Sequence, residues 1–376
     1  MTPPNVAQLS ASRDSEPLQR FTQEIFAALP RADQRQWAHV YTRALLTAPG
    51  RKSGRNLADS VGMPEAAHNF HQFVNASPWD WLPVRRSLLQ WVEERDRVRA
   101  WVVGMATVAR RGEHCAGVHQ RFLPERGRTV NCQAGIGMFL AGRQAHMPVA
   151  WRLLLPGRWA QDEELRARTR IPAAVRDTTL VGHVLELVDS LVADSGSAPR
   201  PLVTDLSHEQ GVGWLLRTLR ARHYDFVVAV PDSLPARTRS GPVLGARRLL
   251  GLEGTVEDSV GRSGIRMRSR SVGLPGVAAG LPECRLFSVS APGQQDRLWI
   301  TNLVEETPEM LYRLSRHADA SSAMKALTDE FGMAAFEGRS YPGWHHHMTL
   351  LSAAFAFSRL GGADSRPRVP AARRAA

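Results

Sequence analysis

The sequence predicts a mixed α/β fold, on three observations. Apolar residues recur at helical spacing between residues 18 and 98. Short apolar runs of strand character replace them from Arg99 onward, and past residue 200 a buried strand, a helix and another strand alternate. A chain of 376 residues can bury a sizeable core, as two domains or as one with a large insertion.

The helical region follows a leader, residues 1–16, that carries Pro and Ser and lacks periodicity. Phe21, Ile25, Phe26 and Leu29 mark the first helix, which Pro30 interrupts. A second covers residues 32–46 and ends near Pro49-Gly50. Ser53 is placed to cap a short third helix over 55–60, Gly62 stops it, and Pro64 opens a fourth through Phe73. Ser77-Pro78 signals the start of a longer helix carrying Leu82, Leu88, Leu89 and Trp91. The third and fourth helices have the outline of a helix-turn-helix, whose second member either enters a DNA groove or packs inside the domain.

Strands are expected at 100–103, 115–122, 130–139 and 148–155, then a helix over 179–193. The strand Leu202-Val-Thr-Asp205, a helix through Leu219 and a strand at 225–230 follow. Residues 231–300 break the order with Pro, Gly, Ser and Arg and read as a mainly β insertion, with strands at 264–272, 284–289 and 298–303. A last core helix is expected over 308–331. The division is thus a leader (1–16), a helical domain (17–98), a core (99–230 and 301–360), the insertion (231–300) and a Pro-, Ala- and Arg-rich tail (361–376) that reads as disordered.

A formal net charge of +12 and a pI near 10.8 suit a polyanionic partner. Of 48 basic residues only Lys52 and Lys325 are lysines, which fits GC-rich coding as well as phosphate recognition. No apolar run reaches membrane-spanning length and the N-terminus lacks a signal-peptide pattern, so a cytoplasmic, nucleoid-associated protein without a membrane partner is expected. Cys115, Cys132 and Cys284 are too scattered for a zinc site or a disulfide framework.

Short motifs run in order along the chain: Pro49-Gly-Arg-Lys52, Phe73-Val-Asn-Ala-Ser-Pro-Trp-Asp80, Arg110-Arg-Gly-Glu-His-Cys-Ala-Gly-Val118, Asn131-Cys-Gln133, Trp151-Arg-Leu-Leu-Leu-Pro156 and Pro201-Leu-Val-Thr-Asp205. The last is Phe336-Glu-Gly-Arg-Ser-Tyr-Pro-Gly-Trp-His-His-His347. Together they resemble the bacterial insertion-sequence transposases of the DDE superfamily over residues 21–360, nearly the whole chain. The resemblance implies a ribonuclease-H-like core, with a β insertion before the last core helix. It also implies an Asp, Asp, Glu triad holding two divalent metals, which stabilise the attacking and leaving oxygens of a phosphodiester.

On that pattern the first Asp falls at Gly104, the second at Asp205 and the Glu at Ser321, with His317 and Thr328 where an Arg and a Lys belong. Glycine offers no ligand atom, and the nearest acids, Asp96 and Glu113, lie on other elements. On one continuous helix Asp319 points about 200° away from Ser321, and Glu330 lies on the far side, so neither replaces the Glu.

With those two carboxylates absent, the expectation is a catalytically inactive DNA-binding homologue, decayed or repurposed for regulation. The alternative is an active metal-dependent transposase with shifted acids. Asp205 is a helix cap or loop acceptor in the first case and a metal ligand in the second. No cofactor is expected in the first and Mg²⁺ in the second. Glu337 reads as structural. His345, His346 and His347 cannot converge on one ion, because successive helical residues point about 100° apart; a polar helix start near DNA is expected there.

The partner expected is double-stranded DNA, with a homodimer as the candidate assembly. Arg266, Arg268 and Arg270 alternate on a strand and share one face, as a phosphate-contacting stripe or a solvated surface. Arg237, Arg239, Arg247, Arg248 and Arg262 add to the charge around them. Arg51, Lys52, Arg55, Arg85 and Arg86 form a second basic surface.

Overall fold

The computed structural model describes residues 15–123, 127–239, 241–261, 265–277, 284–290 and 296–363. Most of the expected leader and tail, and Arg262, lie outside the described residues.

Five helices come first: α1 (Ser15–Ile25), α2 (Ala32–Thr47), α3 (Gly54–Ser60), α4 (Ala66–Asn75) and α5 (Trp81–Arg95). The apolar stripe of α1 is buried at Phe21 and Ile25, as its spacing requires. Ser53 caps α3 by accepting from Asn56 N at 3.4 Å. The cap of α5 differs from expectation. Asp80, not Ser77, accepts from Leu82 N at 2.9 Å, while the Ser77 hydroxyl accepts from Gln34 Nε2 at 3.1 Å. A carboxylate at the helix start also complements the helix dipole, which a serine does not.

The sheet begins with β1 (Ala100–Ala109), β2 (Val118–Leu123), β3 (Arg128–Ala141) and β4 (His146–Leu153). Short helices α6 (Arg158–Gln161) and α7 (Glu163–Arg168) lead to α8 (Leu180–Asp194), which Thr179 caps at Gly182 N. Then come β5 (Leu202–Asp205), α9 (Val212–Ala221) and β6 (Phe226–Val230). The next segment holds β7 (Pro235–Ala236), β8 (Leu244–Gly245), α10 (Ala246–Leu250), β9 (Val256–Val260), β10 (Ile265–Val272), β11 (Cys284–Ser290) and β12 (Arg297–Thr301).

One ten-stranded mixed sheet runs β2-β3-β1-β5-β6-β12-β11-β10-β9, with β4 paired to β3. Strands β1, β5 and β6 are parallel, and the rest of the ladder is antiparallel. The strands of residues 256–301 therefore extend the main sheet, because β12 pairs with β6. This arrangement is the ribonuclease-H-like mixed sheet that the motifs implied.

The segment after β12 departs from expectation. Instead of one helix over 308–331 there are α11 (Pro308–Ser315), a 3-10 turn (Arg316–Ala318) and α12 (Ser321–Asp329). Asp319 is extended, at φ −96° and ψ 103°, and its Oδ1 accepts from Ser321 N at 2.8 Å. An Asp side chain that competes for a backbone N–H two residues on breaks a helix at that point. Last comes α13 (Tyr341–Leu360), buried nearly all round, packed on β4, α2, α4 and α5. Among the described residues no helix is long and apolar enough to cross a membrane.

Candidate active site and nucleic-acid surfaces

Strands β1 and β5 pair in parallel with Trp101 opposite Leu202 and Val102 opposite Val203. Continuing that register places Gly104 level with Asp205, on the same face of the sheet. The face at Gly104 is filled. A first side-chain carbon there would lie 2.9 Å from Phe139 Cε2 and 3.2 Å from Ala320 Cβ. Phe139 is fully buried and stacks edge-on against Trp151, so its ring has little freedom to retreat.

Asp205 is committed on both oxygens. Oδ1 accepts from Ser207 N at 3.0 Å and from Ser207 Oγ at 2.6 Å, and Oδ2 pairs with Arg297 Nη1 at 2.8 Å. Sheet order explains the ion pair. Asp205 lies opposite Ala229 of β6, and Leu298 of β12 lies opposite Val230, so Arg297 emerges at the sheet end where β5 finishes.

Asp319 faces a cavity of about 400 Å³ that Arg297, Trp299, Tyr312 and Arg316 also line. Its carboxyl is held below the usual range, first by the hydrogen bonds from Ser321 and to a lesser degree by His146 and Arg297. Asp319, at the break before α12, thus shares a cavity with Arg297, the partner of Asp205. Ser321 itself is exposed at the start of α12. Asp96 receives Arg143 N at the β3–β4 turn and Glu113 pairs with Arg158 at 3.2 Å, so both are engaged elsewhere. Among the described residues no three His, Cys, Asp or Glu side chains are grouped to hold a metal. Divalent metals of the Mg²⁺ type need several oxygen donors, and the donor set at Asp205 does not fit them.

The Phe336–His347 segment is a joint. Arg110 donates to Phe336 O at 2.7 Å, Ala116 N to Arg339 O at 2.9 Å, and Arg170 Nη2 to Ser340 Oγ at 2.7 Å. Gly338 fits closely there: a Cβ would lie 1.6 Å from Asn75 Oδ1 at the end of α4 and 2.5 Å from Phe336 Cζ. The three histidines are buried, not a surface near DNA. His345 stacks on Trp81 at 4.6 Å and His346 on Trp79 at 3.8 Å. His346 Nδ1 and Nε2 each lie 2.8 Å from a carbonyl, Val74 O and Trp79 O. A neutral ring donates to only one of them. Burial nonetheless outweighs those carbonyls and pushes the His346 pKa down to about 4; it does the same to His347, and holds His345 well below its ordinary value.

The basic residues divide by burial. Lys52 is buried, and its ammonium donates to Leu45 O at 2.8 Å and to Ala48 O, closing the C-terminus of α2. Arg85 is buried against Asp194 and donates to Ser190 Oγ at 2.6 Å, while Arg86 shares Asp194 at 2.8 Å. Lys52 and Arg85 thus serve the fold and face no solvent. Arg51 and Arg55 are exposed, with no ion pair among the described residues. On β10 the expected alternation holds, with Arg266 and Arg268 exposed and Met267 and Ser269 buried. Arg266 lies 3.5 Å from Glu257, whereas Arg268 donates to Leu250 O and Arg270 to Leu252 O, bracing the loop after α10.

Arg297 is the residue that sequence reasoning missed. It precedes an ordinary apolar run, and only the β12–β6 pairing reveals its neighbour. A family model described as DDE superfamily endonuclease matches residues 24–246, more than half of the chain. No curated protein matches it.

Proposed function

Because the chain belongs to the DDE superfamily endonucleases, we propose that it is a DNA-binding member that has lost metal-dependent cleavage. The family implies a DNA substrate, and its members generally use divalent metals. The observation that carries the reading is the packing at Gly104, where Phe139 and Ala320 occupy the space a metal-binding carboxylate would need. The net charge of +12 and the exposed Arg51, Arg55, Arg266 and Arg268 support phosphate contact. The exposed edge of α4, with His68, His71 and Gln72, is the proposed helix-turn-helix reading face.

The test is a mobility-shift titration on duplex DNA across a salt series, with parallel cleavage reactions in Mg²⁺ and Mn²⁺. Salt-sensitive binding without cutting is expected, in wild type and in Asp205→Ala alike. Absence of binding at low salt would end the proposal. A second reading, an active endonuclease using Asp205 and Asp319, is favoured by the placement of both acids beside Arg297. Cutting that both Asp205→Ala and Asp319→Ala abolish would establish it instead.

A further inference from the structure

The disagreement between the donor set at Asp205 and a divalent metal has a specific form: a guanidinium already sits there. Arg297 Nη1 is 2.8 Å from Asp205 Oδ2, and the arginine side chain is half exposed, 49% against 25% for the aspartate. A guanidinium carries five N–H donors in a planar fork, so the edge spent on Asp205 leaves others to face the 400 Å³ cavity. Arg316 lines the same cavity, exposed and without a hydrogen-bond or ion-pair partner among the described residues. The remaining acid, Asp319, lines the same cavity; one of its oxygens accepts from Ser321 N at the start of α12, and His146 and Arg297 also favour its charged form. Arg297 is thus shared by both aspartates, and Arg316 is the cavity cation left without an ion pair among the described residues.

We infer that Arg297 stands in for the metal, and that with Arg316 it makes this cavity a site for a phosphate ester that needs no divalent cation. The pair offers what a tetrahedral anion requires, charge-assisted N–H donors on two side chains that line one cavity. Trp299, Tyr312 and Val289 supply the less polar part of its wall. The natural ligand is a phosphate of DNA, and that identification rests on the DNA-binding reading above; the site itself does not.

The probe is a 5′-phosphorylated thymidine dinucleotide, titrated calorimetrically into the full chain in EDTA and again in excess Mg²⁺. Affinity is expected to agree within about twofold between the two conditions, and to fall about tenfold in Arg316→Ala and in Arg297→Ala, the loss of one charge-assisted contact. Arg316 is exposed and unpaired, so its replacement leaves folding intact even where Arg297→Ala does not. Binding that appears only with Mg²⁺, or that survives unchanged in Arg316→Ala, would overturn the inference. The two readings fail separately. Dinucleotide binding in a chain that ignores duplex DNA keeps this site and removes the proposed function. Duplex binding with no dinucleotide binding does the reverse.

Discussion

The two sites that the motifs singled out, the joint at the start of α13 and the sheet end at Asp205, are both well packed, but to opposite effect. At the joint, polar groups from three parts of the chain meet and most find partners: Arg110, Arg170 and Ser340 hold the segment, and His346 sits between two carbonyls. At the sheet end the same kind of packing removes the chemistry. Phe139 and Ala320 close over Gly104, and Arg297 and Ser207 take up the oxygens of Asp205. A polar cluster whose groups mostly pair with one another specifies a fold. A metal centre requires the opposite, carboxylates held together with their lone pairs free. The structure has invested in the first at the expense of the second.

Acid should break the joint before it affects the sheet end. His346 and His347, with folded pKa values of about 4 against an ordinary 6.5, are buried neutral, and burial holds His345 well below its ordinary value too. The unfolded chain therefore binds more protons, so their contribution is full above pH 6.5 and is lost as the pH falls toward 4. The loss is on the order of 3 kcal/mol for each of His346 and His347 over the whole window. Urea midpoints at neutral pH and near pH 5 should differ strongly, and His346→Phe should flatten the difference. An equal midpoint at both would show that these rings are not buried neutral.

Next in size is the buried pair that ties α5 to α8. Asp194→Ala leaves Arg85 in the interior without its carboxylate, which costs about 3 kcal/mol. A thermal melt should record a large drop, whereas Arg86→Ala, at an exposed side chain on the same aspartate, should move it little. Equal effects would mean that Arg85 has water access.

Much of the fold could be read from the sequence because periodicity is local. The spacing of Phe21 and Ile25, the cap at Thr179 and the alternation of Arg266 with Met267 each depend on neighbours a few residues away. The flanking motifs singled out Gly104 and Asp205, but that the two lie level follows only from the β1–β5 pairing, and β1 runs past Gly104 to Ala109. What failed was long-range. Whether Lys52 or Arg85 faces water depends on α2 and α8, which no spacing reveals. Arg297 acquires meaning only from a strand pairing across some seventy residues of chain, and the Asp319 break arises from one side-chain hydrogen bond that helical periodicity does not encode.

At the sheet end, the sharpest probe is to restore what is missing. Gly104→Asp must displace the Phe139 ring or the 316–320 segment, and should destabilise by about 2 kcal/mol through overpacking alone. It should restore no metal-dependent cutting, because Arg297 still holds Asp205. A stable variant that cleaves DNA in Mn²⁺ would show that this face is more open than its packing indicates.

The smallest effect expected is on the basic surface, where it separates charge that meets DNA from charge that braces the fold. Arg266 is 69% exposed and its one ion pair among the described residues is with Glu257, at 3.5 Å, so Arg266→Ala is expected to remove a phosphate contact and little else. Affinity should fall about threefold and the log–log salt slope should shrink by about one. Arg268→Ala and Arg270→Ala also release the carbonyls of Leu250 and Leu252, so they should lower the melting temperature as well as the affinity. Arg55→Ala, on the surface formed by α3, tests the competing path. If it reduces the slope while Arg266→Ala leaves it unchanged, the DNA runs over the helices and the β10 stripe is a solvated face.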